Sequence, residues 1–307
     1  MSNAVELTQV TKRFGDHVAV DQLDLSVPAG TVYGFIGPNG SGKTTTLRMI
    51  LRIFYPDAGR VCVLGEDRGT AADDRVGYLP EERGLYKKMK VREILRFYAQ
   101  LKGMHDCRAE IDSWLERMDL GKWADLKVET LSKGMSQKVQ FIATIISRPE
   151  LVVLDEPFSG LDPVNMDVLK NVVLELREQG ATVIFSTHDM DVAERMCDTI
   201  FMIFRGSKVL DGSLESIQDR YGSDTIRVRM PAVNGRLTAV EGVQRVNDFG
   251  QYKELRMAPG ANPQAILKQL TEIGTIEHFE LARPSLHDIF VRIAGPEAVE
   301  EEVVAHA

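Results

Sequence analysis

The octapeptide Gly37-Pro38-Asn39-Gly40-Ser41-Gly42-Lys43-Thr44 constrains this chain more than any other stretch. It fits the spacing G-x-x-x-x-G-K-[ST] and stands between an apolar strand-like run, residues 31–36, and an apolar helical pattern that opens at Thr44. The glycines let the backbone fold tightly enough to aim several N–H groups at phosphate oxygens, and the N-terminus of the following helix adds its positive end. Lys43 is placed to reach the β- and γ-phosphates of a nucleotide. Thr44 offers a hydroxyl to Mg²⁺ and Thr45 can contact an α-phosphate oxygen, so residues 37–45 form the expected phosphate site.

A second element, Leu151-Val152-Val153-Leu154-Asp155-Glu156-Pro157, is an apolar strand that ends abruptly in two carboxylates. Ligands of doubly wound sheets gather at such strand ends. Asp155 suits the metal, and Glu156 suits a general base that polarises an attacking water. Alone, an Asp-Glu pair after a strand reads as a capping or solvated pair; a phosphate loop in the same chain changes that reading.

Around these motifs, short β-branched runs alternate with helical patterns as far as about residue 210, which implies an α/β layer architecture. Strands are expected at 5–10, 23–27, 31–36, 60–64, 76–79, 151–154, 182–186, 199–204 and 208–210, and helices at 44–53, 91–102, 109–118, 133–147, 163–178 and 190–196. Beyond residue 213 the pattern shifts to strands at 225–230, 243–247, 252–257 and 275–281 around one helix at 263–273, closed by a helix at 286–293. The expected organisation is a nucleotide-binding domain over 1–212 with a helical subdomain near 88–148, a linker helix at 213–221, a small α+β domain over 222–295 and a disordered tail at 296–307.

Composition bears on the partners. A net charge of −8 works against a broad nucleic-acid footprint, so any anion site must be built locally. Cys62, Cys107 and Cys197 lack metal-ligand spacing and fit a reducing compartment. No apolar run approaches the roughly 20 residues of a spanning helix, and a soluble chain is expected.

Between the two nucleotide motifs lies Leu131-Ser132-Lys133-Gly134-Met135, and with it the chain resembles the ATP-binding subunits of ABC transporters. Their usual signature is Leu-Ser-Gly-Gly-Gln; Lys133 and Met135 depart from it, while Ser132 and Gly134 are retained. The resemblance implies that Ser132 and the Gly134 amide meet the γ-phosphate of a nucleotide held by another subunit, with Lys133 bringing an extra cation. It extends to Phe14 as the ring that stacks on adenine, Asp162 in Ser159-Gly160-Leu161-Asp162-Pro163 as a dimer contact, and His188 as the γ-phosphate sensor. After the strand at 76–79 the family carries glutamine where this chain has Glu81, implied as a metal or water ligand that cannot donate as an amide does.

The fold implied is a P-loop NTPase domain with a mixed sheet and a helical subdomain, plus a small C-terminal α+β domain. Residues 80–86 and the closing Arg283-Pro284-Ser285-Leu286-His287-Asp288-Ile289-Phe290 resemble the subgroup serving ABC-2-type exporters, including those compared with sodium-efflux ATPases. The function implied is Mg²⁺-dependent ATP hydrolysis by a head-to-tail pair, homodimeric or with another ATPase subunit. That pair drives export through separate integral-membrane permeases from the cytoplasmic face, without nucleic acid. Leu85, Tyr86 and Met89 are the expected anchors for the permease. Two other readings are a ribosome- or DNA-acting member, disfavoured by a single nucleotide domain without heptads, and a binding module that holds ATP with little turnover.

Overall fold

The computed structural model describes residues 2–67, 74–82, 84–221, 224–231 and 237–295. It divides into two compact units, Met1–Ser213 and Leu214–Ala307. The expected tail at 296–307 and Arg83 lie outside the described residues.

The first unit is built on a six-stranded sheet: β3 (Val32–Ile36), β5 (Val76–Leu79), β6 (Leu151–Leu154), β7 (Thr182–Thr187), β8 (Thr199–Phe204) and β9 (Ser207–Gly212). The order is β5-β6-β7-β3-β8-β9, parallel except for the β8–β9 hairpin. Helices cover both faces, so β3, β6 and β7 are buried along their whole length, and β6 reads as a continuous apolar run. Successive residues serve opposite cores: Val152 and Leu154 face one cluster, Leu151 and Val153 the other. Each such fully buried side chain contributes about 1.5–3 kcal/mol relative to exposure.

A second, antiparallel sheet joins β1 (Asn3–Phe14), β2 (His17–Pro28) and β4 (Ala58–Val63). The first two strands are much longer than the expected 5–10 and 23–27. Their pairing is interrupted by register shifts between Leu7 and Val10 and between Val10 and Lys12, which break the two-residue alternation that marks a strand in sequence.

The helices are α1 (Lys43–Ile50), α2 (Val91–Leu101), α3 (Arg108–Arg117), α4 (Lys133–Ile145), α5 (Pro163–Glu178) and α6 (Met190–Met196). The segments α2 to α4 build the helical part of this unit, where Leu95, Ile111, Leu115 and Ile142 share one core. Leu85, expected as an anchor, is turned into that core, with Met89 packed beside it; Tyr86 remains exposed, edge-on to Phe97.

In the second unit, β10 (Thr225–Arg229), β11 (Val243–Asp248), β12 (Lys253–Met257) and β13 (His278–Ala282) form an antiparallel sheet in the order β11-β12-β10-β13. Helix α8 (Pro263–Ile273) lays Ile266 and Leu270 on Ile226, Val228 and Leu255. Helix α7 (Leu214–Tyr221) packs within this unit, since Gln218 donates to the Pro284 carbonyl at 3.0 Å and Asp219 faces Arg283 at 3.3 Å. A Ser285/Asp288 capping box starts α9 (Leu286–Ala294), whose Arg292 forks onto Asp224 at 2.9 and 3.1 Å. No helix among the described residues is long and apolar enough to cross a membrane.

Candidate active site

Four adjacent parallel strands, β5, β6, β7 and β3, end side by side, and each delivers one part of the site. From β3 the chain enters the phosphate loop. A Cβ on Gly37 would stand 2.2 Å from the Ile203 carbonyl and one on Gly42 2.6 Å from that of Ala19, so neither position accepts a larger residue without backbone movement. Gly42 caps α1 at φ 108°, with no side-chain cap and no acid in the first turn. By contrast, Ser132, Asp162 and Asp189 each accept an amide of their own helix, so α1 is the one of these four termini without a side-chain cap.

Lys43 is buried, with Nζ donating to the Gly37 and Pro38 carbonyls at 2.6 and 3.2 Å and standing 3.8 Å from Glu156 Oε1. Asp155, fully buried at the end of β6, accepts from Thr44 Oγ1 at 3.2 Å and from Ser186 Oγ at 2.6 Å, both on Oδ1. Burial holds the Asp155 carboxyl above its ordinary pKa; Ser186 and Thr44 oppose this, and the Glu156 charge adds to it. Glu156 sits at φ 48°, a left-handed conformation that costs a non-glycine residue about 1–3 kcal/mol, and its amide donates to Ser186 Oγ at 2.9 Å. His188, beyond the end of β7, places Nδ1 3.1 Å from Glu156 Oε2. Leu79 pairs with Leu154 across β5 and β6, and the Asp155 amide donates to the Leu79 carbonyl, so Glu81 leaves its strand beside Glu156. Its carboxyl is raised above the usual range by burial first, then by the Asp155 and Glu156 charges.

The donor set suits Mg²⁺. Asp155 Oδ2 is buried without a hydrogen-bond partner among the described residues, next to the Thr44 hydroxyl on the other oxygen. No three His, Cys, Asp or Glu among the described residues form a metal cage.

Phe14 ends β1, about half exposed, edge-on to Phe54 at 5.5 Å. It lies on the same hairpin as Ala19 and Val20, which touch Gly42. Asn39 and Gly40 are exposed at the tip of the loop, while Pro38 and Ser41 are buried. Ser132, Lys133, Gly134 and Met135 form a second group with Asp162. Ser132 Oγ accepts the Met135 amide at 3.2 Å, and the Lys133 side chain lies over Gly160, where a Cβ would come within 2.5 Å of its Nζ. Asp162 caps α5 by accepting from the Asn165 amide at 3.0 Å.

Sequence reasoning passed over three polar side chains: Ser186, Gln137 and Gln140. Ser186 and the following Thr187 are the polar end of an otherwise apolar strand, two residues before His188, and that is the signal that marked it. Gln137, on α4, donates to the Pro157 carbonyl at 3.2 Å, joining the signature helix to the turn after Glu156.

Comparisons with known proteins place the chain in a family. The model of the ABC transporter family matches residues 20–159, and that of the ATP-binding protein DrrA1-3-like C-terminal domain matches residues 212–294. The uncharacterized ABC transporter ATP-binding protein YhaQ of Bacillus subtilis is 41% identical over 94% of this chain and 98% of its own length. The Nod factor export ATP-binding protein I of Sinorhizobium fredii is 34% identical, covering 96% of this chain and 87% of that protein. A solved ATP-binding subunit of an ABC transporter superposes with a TM-score of 0.67 at 28% identity, over 71% of this chain and 93% of that one.

Proposed function

This chain belongs to the ATP-binding subunits of ABC transporters, and on that premise we propose that it hydrolyses Mg·ATP as one half of a head-to-tail pair that powers export through separate membrane permeases. The observation that carries the proposal is the convergence of Lys43, Thr44, Asp155, Glu156, Ser186 and His188 at the ends of β3, β6 and β7.

The roles follow from the contacts. The α1 amides and Lys43 bind the phosphates, Phe14 lies under adenine, and Thr44 and Asp155 hold the cation, with Glu81 beside them. When bound, Mg²⁺ supplies charge neutralisation at the β- and γ-phosphate oxygens. Glu156 takes a proton from the attacking water, oriented through its contact with His188, which also reports the γ-phosphate. Ser132 keeps its hydroxyl hydrogen for a partner's γ-phosphate, because its oxygen is engaged as acceptor by the Met135 amide. A Cβ at Gly134 would meet only ordinary contacts, Leu161 at 3.5 Å and Asn165 at 3.6 Å, so nothing within the chain demands a glycine there. An approaching phosphate supplies that demand.

Closure on ATP and reopening after hydrolysis follow from γ-phosphate contacts that exist in only one state. Export rather than uptake is supported by the relatives named for Nod factor export. Cargo contacts belong to the permease, and the subunit is proposed to sit peripherally on the cytoplasmic face. Affinity purification from detergent-solubilised native membranes tests this reading. A multi-span membrane protein recovered in comparable amount supports it, and recovery of ribosomes or soluble partners alone contradicts it.

A further inference from the structure

Helix α4 carries a buried polar stripe that the catalytic reading leaves unused. Gln137, Gln140 and Thr144 recur at three- and four-residue spacing on one face and all three are buried; Lys138, also buried, donates to the Met118 carbonyl at 2.8 Å instead. Each reaches a backbone carbonyl of another segment. Gln137 Nε2 donates to Pro157 O, Gln140 Nε2 donates to Glu82 O, and Thr144 Oγ1 lies within reach of Tyr78 O, every one at 3.2 Å, while the Thr144 hydroxyl makes its shorter contact, 3.0 Å, with the Gln140 carbonyl of its own helix. The lower half of α4 presses directly on β5: a Cβ at Gly77 would stand 2.6 Å from the Thr144 carbonyl. Glu81 therefore follows a strand packed closely on this helix at Gly77 and precedes a residue, Glu82, whose carbonyl is hydrogen-bonded to it, and the helix begins at Ser132.

Gln140 is the unusual member. Its Oε1 is buried and has no hydrogen-bond partner among the described residues. Half of a buried amide left unmatched is a cost that an apolar side chain of the same length would avoid, so the donor half must be the part that is used. Its donor half meets the carbonyl of the residue after Glu81.

We propose that Gln140 is a positioning residue: through its hydrogen bond to the Glu82 carbonyl it fixes Glu81 relative to the signature helix, so that movement of Ser132 and Gly134 is passed to the Glu81 carboxylate. The inference rests on the role proposed above for Glu81 and adds to it a named mechanical link.

The test is a double-mutant cycle on the full chain between Gln140→Met, which keeps volume and removes the amide, and Glu81→Ala. The account expects Gln140→Met to keep its thermal midpoint and its KM for ATP, and to lower kcat about tenfold. In the Glu81→Ala background the same substitution changes kcat by less than about twofold. In nucleotide-free protein, amide hydrogen exchange of a peptide covering residues 78–86 rises in Gln140→Met, while that of residues 151–157 is unchanged. Should Gln140→Met fail to fold, Gln140→Leu replaces it in the same cycle. An equal loss of kcat with and without Glu81, or no loss in either, overturns the link. Unchanged turnover on Glu81→Ala alone would instead refute the role given to Glu81.

Discussion

The Ser186 hydroxyl donates to Asp155 Oδ1 across 2.6 Å, fully out of contact with solvent. Ser186 Oγ in turn accepts the Glu156 amide at 2.9 Å, so one small side chain from β7 fixes both acids at the end of β6. Ser186→Ala leaves a buried carboxylate oxygen and a buried amide short of a partner, at about 1–3 kcal/mol. The expected result is a lower thermal midpoint together with a turnover loss larger than any change in ATP affinity, read by calorimetry and steady-state kinetics.

Asp155 illustrates a site that spends stability on function. Its folded-state pKa lies above that of the unfolded chain, chiefly through burial. Between the two values the folded protein binds the extra proton, so stability falls as pH rises through that window, and the penalty is fully present above it. Asp155→Asn removes the titration while keeping an oxygen for Ser186 and Thr44. Its melting temperature should exceed that of the parent by a few degrees at pH 7.5, with the difference shrinking as pH falls toward 4 and Mg²⁺-dependent turnover lost. A difference independent of pH would contradict the assignment.

How much of this was legible beforehand depends on how locally each feature is encoded. The phosphate loop and the strand ending at Asp155 are contiguous, and the strands on which they stand are continuous apolar runs. The β1–β2 hairpin was only half visible, since its bulges set Gln9 and Gln22 at positive φ and disrupt the alternation. Gln137 and Gln140 were invisible for a different reason. Their partners are backbone carbonyls 20 and 58 residues away, and a carbonyl leaves no mark in sequence. Leu85 misled because an apolar residue among lysines reads as an exposed anchor, whereas it fills the core beneath Tyr86.

His188 contacts Glu156, and about a third of its side chain is exposed. His188→Ala should therefore leave the melting temperature nearly unchanged and lower kcat by about 10²-fold or more, with KM for ATP altered only a few-fold. A large loss of stability would make it a structural histidine instead.

Gly134 has room for a methyl group within the chain. Gly134→Ala is expected to fold and melt like the parent and to bind ATP, while losing ATP-dependent pairing because the added carbon meets the partner's phosphate. Light scattering with and without Mg·ATP reads this directly.

The most direct test of the account is the mass of Glu156→Gln in solution with Mg·ATP. Without the general base the nucleotide stays intact, so the account predicts a two-chain species that appears only with ATP, holds two nucleotides, and is abolished by adding Gly134→Ala. A protein that binds ATP yet remains a single chain under these conditions would contradict it.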